Sequence, residues 1–161
     1  MQKRSALVSM TVGMFIIPIS ALIMATGAMM SDDLIFGAIH PVTLMMIIGI
    51  AFQALAECFI SPRFLEYFSL QSPKGEEGLY LGFSHLHSFV SSILAFGLSG
   101  FLLDRYCPDP KGFTPEEYIH ATEHAHYIWF FFFGIGLVSA IALVIYGKVT
   151  RKIDGAKAAD I

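Results

Sequence analysis

Four stretches of this sequence contain no Asp, Glu, Lys or Arg: Ser5 to Ser31, Leu34 to Ala56, Gly78 to Leu103 and Tyr127 to Gly147. Each reaches the roughly 20 residues that an α-helix needs to cross a hydrocarbon layer about 30 Å thick. Composition agrees: 14% of the residues are charged, against about 25% in soluble domains, and mean hydropathy is +0.66. The sequence predicts an all-α integral membrane protein. A single transmembrane domain covers residues 1–161, with four helices of about 6–30, 40–69, 77–104 and 115–148 in an antiparallel up-down arrangement.

Charge placement orients that zigzag. Of the ten Lys and Arg, eight (Lys3, Arg4, Arg63, Lys74, Lys148, Arg151, Lys152 and Lys157) fall on one side, and Arg105 and Lys111 on the other. The positive-inside rule puts both termini and the Lys74 turn in the cytoplasm, in a plasma or inner membrane. The net charge of −3 says less than this distribution. Cys58 and Cys107 then lie toward opposite faces, so no disulfide is expected between them. The first apolar run is far longer than the roughly 7–15 residues of a cleavable signal core and reads as a retained anchor.

Within the first helix, Gly13, Ala21, Ala25 and Ala28 give small residues at three- and four-residue spacing, suited to close helix approach. Pro18 predicts a kink. In the second helix, Gly49, Gln53, Glu57 and Ser61 recur every four residues and read as one polar stripe facing water or a polar partner. Glu57 is the centre of interest, because an acid inside an apolar helix is costly unless paired or used. It is either a packed acid paired to another helix or a carboxylate lining a substrate or proton route, and the second reading is preferred. Arg63, Glu66 and Lys74 form an interface charge cluster, read as a salt bridge or snorkelling side chains.

The third helix carries Ser84, Ser88, Ser91, Ala95 and Ser99, with Gly97 and Gly100 nearby, as a helix–helix contact surface. His85 and His87 are two residues apart, about 200° around the axis, so they are expected to face different cavities. One would line the polar path while the other bonds a neighbour; which is which stays open. Thr114-Pro115-Glu116-Glu117 is a helix start, with an N-cap hydroxyl, proline at the first position and acids in the first turn. A short extracytoplasmic helix there leads into the fourth. His120, Glu123 and His124 have a spacing that could hold zinc with an outside ligand, but they read better as an amphipathic turn, and no metal is expected. Trp129 to Phe133 form an interfacial aromatic belt, and Gly136 and Ala140 offer one more close contact.

No phosphate loop, nucleophile motif, basic nucleic-acid patch or strong metal-ligand spacing is present. The chain is read as no enzyme, with no cofactor and no nucleic-acid partner. Residues 56–67 read Ala-Glu-Cys-Phe-Ile-Ser-Pro-Arg-Phe-Leu-Glu-Tyr, followed by Pro73-Lys74-Gly75 and Glu77-Gly78-Leu79-Tyr80-Leu81-Gly82. This resembles the tenth helix, cytoplasmic turn and eleventh helix of major facilitator superfamily transporters, and most of all the branch around the proton-dependent oligopeptide transporters. Glu57 matches that branch's acid, Ser61-Pro62 its dipeptide, and Pro73-Lys74 with Gly78 its turn. Ala56 stands where the branch often has glycine, and the histidine pair departs from it.

The resemblance implies helices nine to twelve of twelve, and therefore the C-terminal part of a proton-coupled secondary transporter. Glu57 would line its substrate or proton path by that match, and the residues' own pattern adds Gln53 and Ser61 from the polar stripe and His85 and His87 from the third helix. The implied partners are the lipid bilayer, a small-molecule substrate, and the missing N-terminal helices or a second subunit. The alternative is a stand-alone four-helix interaction or scaffold protein that oligomerises or completes a split transporter.

Overall fold

The computed structural model describes residues 2–30, 33–35 and 37–159, and side chains over 6–30, 33–35 and 37–153. The described residues are helical without a strand. In chain order they form α1 (Gln2–Gly27), α2 (Pro41–Ser69), α3 (Glu77–Tyr106), a 3-10 turn (Pro110–Gly112), α4 (Pro115–Thr122) and α5 (Tyr127–Ala159). The helices α1, α2, α3 and α5 are long and apolar enough to cross a membrane.

Local chemistry sets the boundaries. α2 starts at Pro41, whose missing N–H costs nothing in a first turn, and His40 Nδ1 accepts the Val42 N–H at 3.3 Å. The turn after α2 passes through Gly75 at φ +91°, a conformation that favours glycine. Glu77 accepts the Gly75 N–H, tying the turn to the first residue of α3. α4 opens on a reciprocal capping box: Thr114 accepts the Glu117 N–H, and the Glu117 carboxylate accepts the Thr114 N–H at 2.9 Å. Thr114→Ala should cost α4 about 1 kcal/mol, read as faster amide exchange over residues 116–122, with α2 exchange unchanged.

Two boundaries differ from the sequence-based expectation. α1 stops at Gly27 rather than Met30, because residues 28–30 turn toward the link. The last long helix, α5, runs on to Ala159, past the expected end near 148, and the short helix expected to lead into it is α4. Between α4 and α5 the chain closes i→i+3 bonds, with the Ala125 N–H on Thr122 O and the Tyr127 N–H on His124 O. This tighter winding breaks the α-helical ladder.

α1 is the hub, packing along both α2 and α5, whereas α3 touches α2 and α5 only sparsely. Small residues make the close approach possible. A Cβ on Gly13 would meet Ile60 at 2.7 Å and the Ala56 carbonyl oxygen at 2.9 Å. Ala25, Ala56 and Ala140 are completely buried. Gly136 lies against Pro18, its Cβ position 3.2 Å from the proline ring, so the two features noted separately in the sequence meet in one contact. Ala28, grouped with these, is exposed.

Near the N-terminal end of α1, Ala6, Leu7 and Met10 bury Tyr67 of α2, flanked by Phe64, Phe68 and Leu143. The Tyr67 and Tyr146 hydroxyls are 2.8 Å apart and link α2 to α5. A double-mutant cycle with Tyr67→Phe and Tyr146→Phe should give a coupling of about 1 kcal/mol, measured by SDS unfolding of the purified chain.

The expected contact surface on α3 is mostly bare. Ser84 is buried, but Ser88, Ser91 and Ala95 are exposed, and nothing lies within 4 Å of a Cβ on Gly97 or Gly100. Small residues permit close packing but do not supply the helix to pack against. Cys58 and Cys107 are free thiols.

Candidate functional site

The sparse contact between α2 and α3 leaves a cleft of about 350 Å³. α2 contributes Glu57, Ser61 and Phe64, and α3 contributes His85, His87 and Ser88. Glu57 and Ser61 stand one helical turn apart, and the Ser61 hydroxyl donates to Glu57 Oε2 at 3.2 Å. One carboxylate, two imidazoles and two hydroxyls thus share a cavity whose remaining wall is carbon. Such a set can exchange protons and can both donate to and accept from a hydrogen-bonding solute.

Both histidines line this cleft, which corrects the expectation that they face different cavities. Where two helices pack tightly, only a narrow arc of each faces the seam; here the helices stand apart, and the cleft takes side chains from a wide arc of α3. His87 also folds back along its own helix: its Nδ1 is hydrogen-bonded to the Ser84 carbonyl oxygen. Its ring packs on Phe64 with centroids 4.8 Å apart. Ser84, the buried member of the α3 serine row, donates its hydroxyl to the Leu81 carbonyl at 2.7 Å.

The stripe Gly49, Gln53, Glu57, Ser61 does not face one environment. Gly49 is buried against Met24 and the Ser20 carbonyl of α1. Gln53 lines a separate cavity with Ser20, Trp129 and Ser139. Only Glu57 and Ser61 reach the cleft. A four-residue repeat on a 3.6-residue helix turns about 40° per step, so the row drifts about 120° from Gly49 to Ser61. That drift carries it from α1 to α3.

The expected charge cluster is a pair. Arg63 and Glu66 are bridged at 2.5 Å within α2, while Lys74 is exposed in the turn and pairs with neither among the described residues. An ion pair this exposed contributes at most about 1 kcal/mol. His124 stacks on Tyr127 at 5.0 Å, and no group of three His, Cys, Asp or Glu among the described residues is placed to hold a metal ion.

Sequence reasoning missed Phe64, which closes the cleft and carries His87. The signal was available: Glu57, Ser61, Phe64 and Phe68 stand at i, i+4, i+7 and i+11, the spacing of one helix face. It missed Tyr146 as well, for which no local signal exists. Compared with protein-family models, curated proteins and solved structures, the chain matches none.

Proposed function

We propose that these helices are the C-terminal part of a secondary active transporter of the major facilitator type, corresponding to helices nine to twelve, with the α2–α3 cleft as one wall of a proton-coupled substrate path. One observation carries this reading: a carboxylate and two imidazoles line a single cleft on otherwise apolar helices. Glu57 lies about 24 Å along the axis from Pro41 and about 18 Å from Ser69, within the length that crosses the bilayer. An ionised acid at such depth costs about 2.5–3.5 kcal/mol or more against lipid tails. Facing a water-filled path closed by further helices, that cost disappears. Coupling then follows from exchange of a proton between Glu57 and the histidines as solute occupies the cleft, which biases rocking of this wall against an N-terminal half.

The antiparallel up-down arrangement belongs to the same proposal. It is supported by the order of the contacts, since Gly13 meets Ile60 while Gly27, farther along α1, meets Val42 at the start of α2. The excess of Lys and Arg beside the termini and the Lys74 turn supports placing these in the cytoplasm.

A second reading is favoured by the bareness of α3, where Phe96 is 85% exposed. In this reading the four helices are a stand-alone interaction protein whose α3 face meets a partner helix. Native mass separates the two. An antibody against residues 148–161 should detect, in native membranes, a polypeptide about three times the 17.7 kDa of this chain. A band at 17.7 kDa overturns the single-chain transporter and moves attention to a separately encoded partner.

A further inference from the structure

A second space, separate from the Glu57 cleft, runs between the long helices beside Pro18. Its inner part, about 330 Å³, is bounded by Ser20 of α1, Gln53 of α2, and Gly136 and Ser139 of α5. Its outer part, about 430 Å³, lies among Val42, Ser99, Leu102 and His126. Met24, Trp129 and Phe132 line both parts, so the two are neighbours at the Trp129 indole. Each part falls in the size range of small-molecule sites.

The lining selects its ligand. No Asp, Glu, Lys or Arg borders either part, so a charged guest would lose its hydration with no counter-ion in reach. Carbon covers most of the length. Polar groups lie at both ends: Ser99 and His126 in the outer part, and Ser20, Gln53 and Ser139 in the inner part, where the Ser20 hydroxyl is already spent on the Ile17 carbonyl. The Gln53 amide and the Ser139 hydroxyl make no side-chain hydrogen bond among the described residues. They offer both donors and acceptors to a guest.

We propose that this space binds an uncharged single-chain amphiphile, its hydroxyl or carbonyl held by Gln53 and its chain lying along Trp129 toward His126. The site is independent of the role of the Glu57 cleft. It also accounts for a glutamine on the wall of a mostly apolar space, where an amide without a partner is costly.

Trp129 is the only tryptophan in the chain, so its emission reports on this space. The test uses the full chain in lipid nanodiscs, titrated with a long-chain alcohol brominated on its tail, since bromine quenches indole on contact. Saturable quenching is expected. Gln53→Leu, similar in size at an exposed position, should raise the half-saturating concentration about fivefold. Ser139→Phe, which fills the inner part, should abolish saturation, and the matching brominated carboxylate should not saturate. If Ser139→Phe loses helix content, Gln53→Leu and the carboxylate carry the test alone. Quenching that only rises linearly with probe overturns the proposal. So does equal saturation by a bromine-tailed phospholipid in the wild-type chain and Gln53→Leu, which would mark ordinary lipid contact.

Discussion

If the helices form the transporter wall proposed above, Glu57→Gln should bring proton-driven solute uptake to background while helix content stays at the wild-type level. The substitution keeps the size and hydrogen-bonding reach of the side chain and removes only its charge and its titration. Glu57 is uncovered by the rest of the chain, and its one described hydrogen bond is a 3.2 Å contact that an amide oxygen can also accept. Little stability is therefore at stake. Glu57→Asp, which keeps the charge but shortens the reach, should retain part of the uptake. The measurement is acidification of a dye-loaded vesicle carrying the protein purified from its native membrane, driven by an imposed solute gradient. Unchanged proton flux in Glu57→Gln would sink the role assigned to the cleft, whatever the mass of the native polypeptide.

The second large effect concerns the fold. Gly49→Leu should destabilise the purified chain by about 3 kcal/mol, at the upper end for overpacking. A Cβ there would stand 2.5 Å from Met24 Cγ and 3.0 Å from the Ser20 carbonyl oxygen. The methionine can swing away; the backbone oxygen moves only if α1 moves. Gly97→Leu on α3 should stay within about 0.5 kcal/mol, because nothing lies within 4 Å of its Cβ. SDS unfolding followed by circular dichroism reads both. Equal costs at Gly49 and Gly97 would mean that the hub role of α1 is wrong. Repeated in native membranes, the same pair bears on the bare face of α3. If another helix covers it there, Gly97→Leu lowers the amount of assembled protein although the purified chain tolerates it.

Much of the candidate site was legible because its residues are locally anomalous. Glu57 interrupts an apolar run, Ser61 follows at one turn, and two histidines sit in a stretch without charge. Their company was not legible. Whether Gln53 joins Glu57 or leaves it depends on how far a four-residue row drifts before meeting the next helix, and on which helix that is. Whether His85 and His87 share a cavity depends on the width of the gap between α2 and α3. Neither quantity is written in the spacing of residues along one helix.

The four long helices, the capped start of α4 and the glycine turn before α3 were settled by the sequence alone. Each rests on interactions among residues a few positions apart: a charge-free run, a Thr114–Glu117 exchange, a positive φ at Gly75. The tertiary structure alone decided that α1 is the hub, that α3 stands apart, and that Tyr67 meets Tyr146. Small residues sit on α1 and α3 alike, so the sequence marks both as able to pack closely. Which pair packs depends on matched surfaces from distant parts of the chain. α1 finds Ala56 and Ile60 opposite Gly13 and Met24 opposite Gly49, and α3 finds no such match.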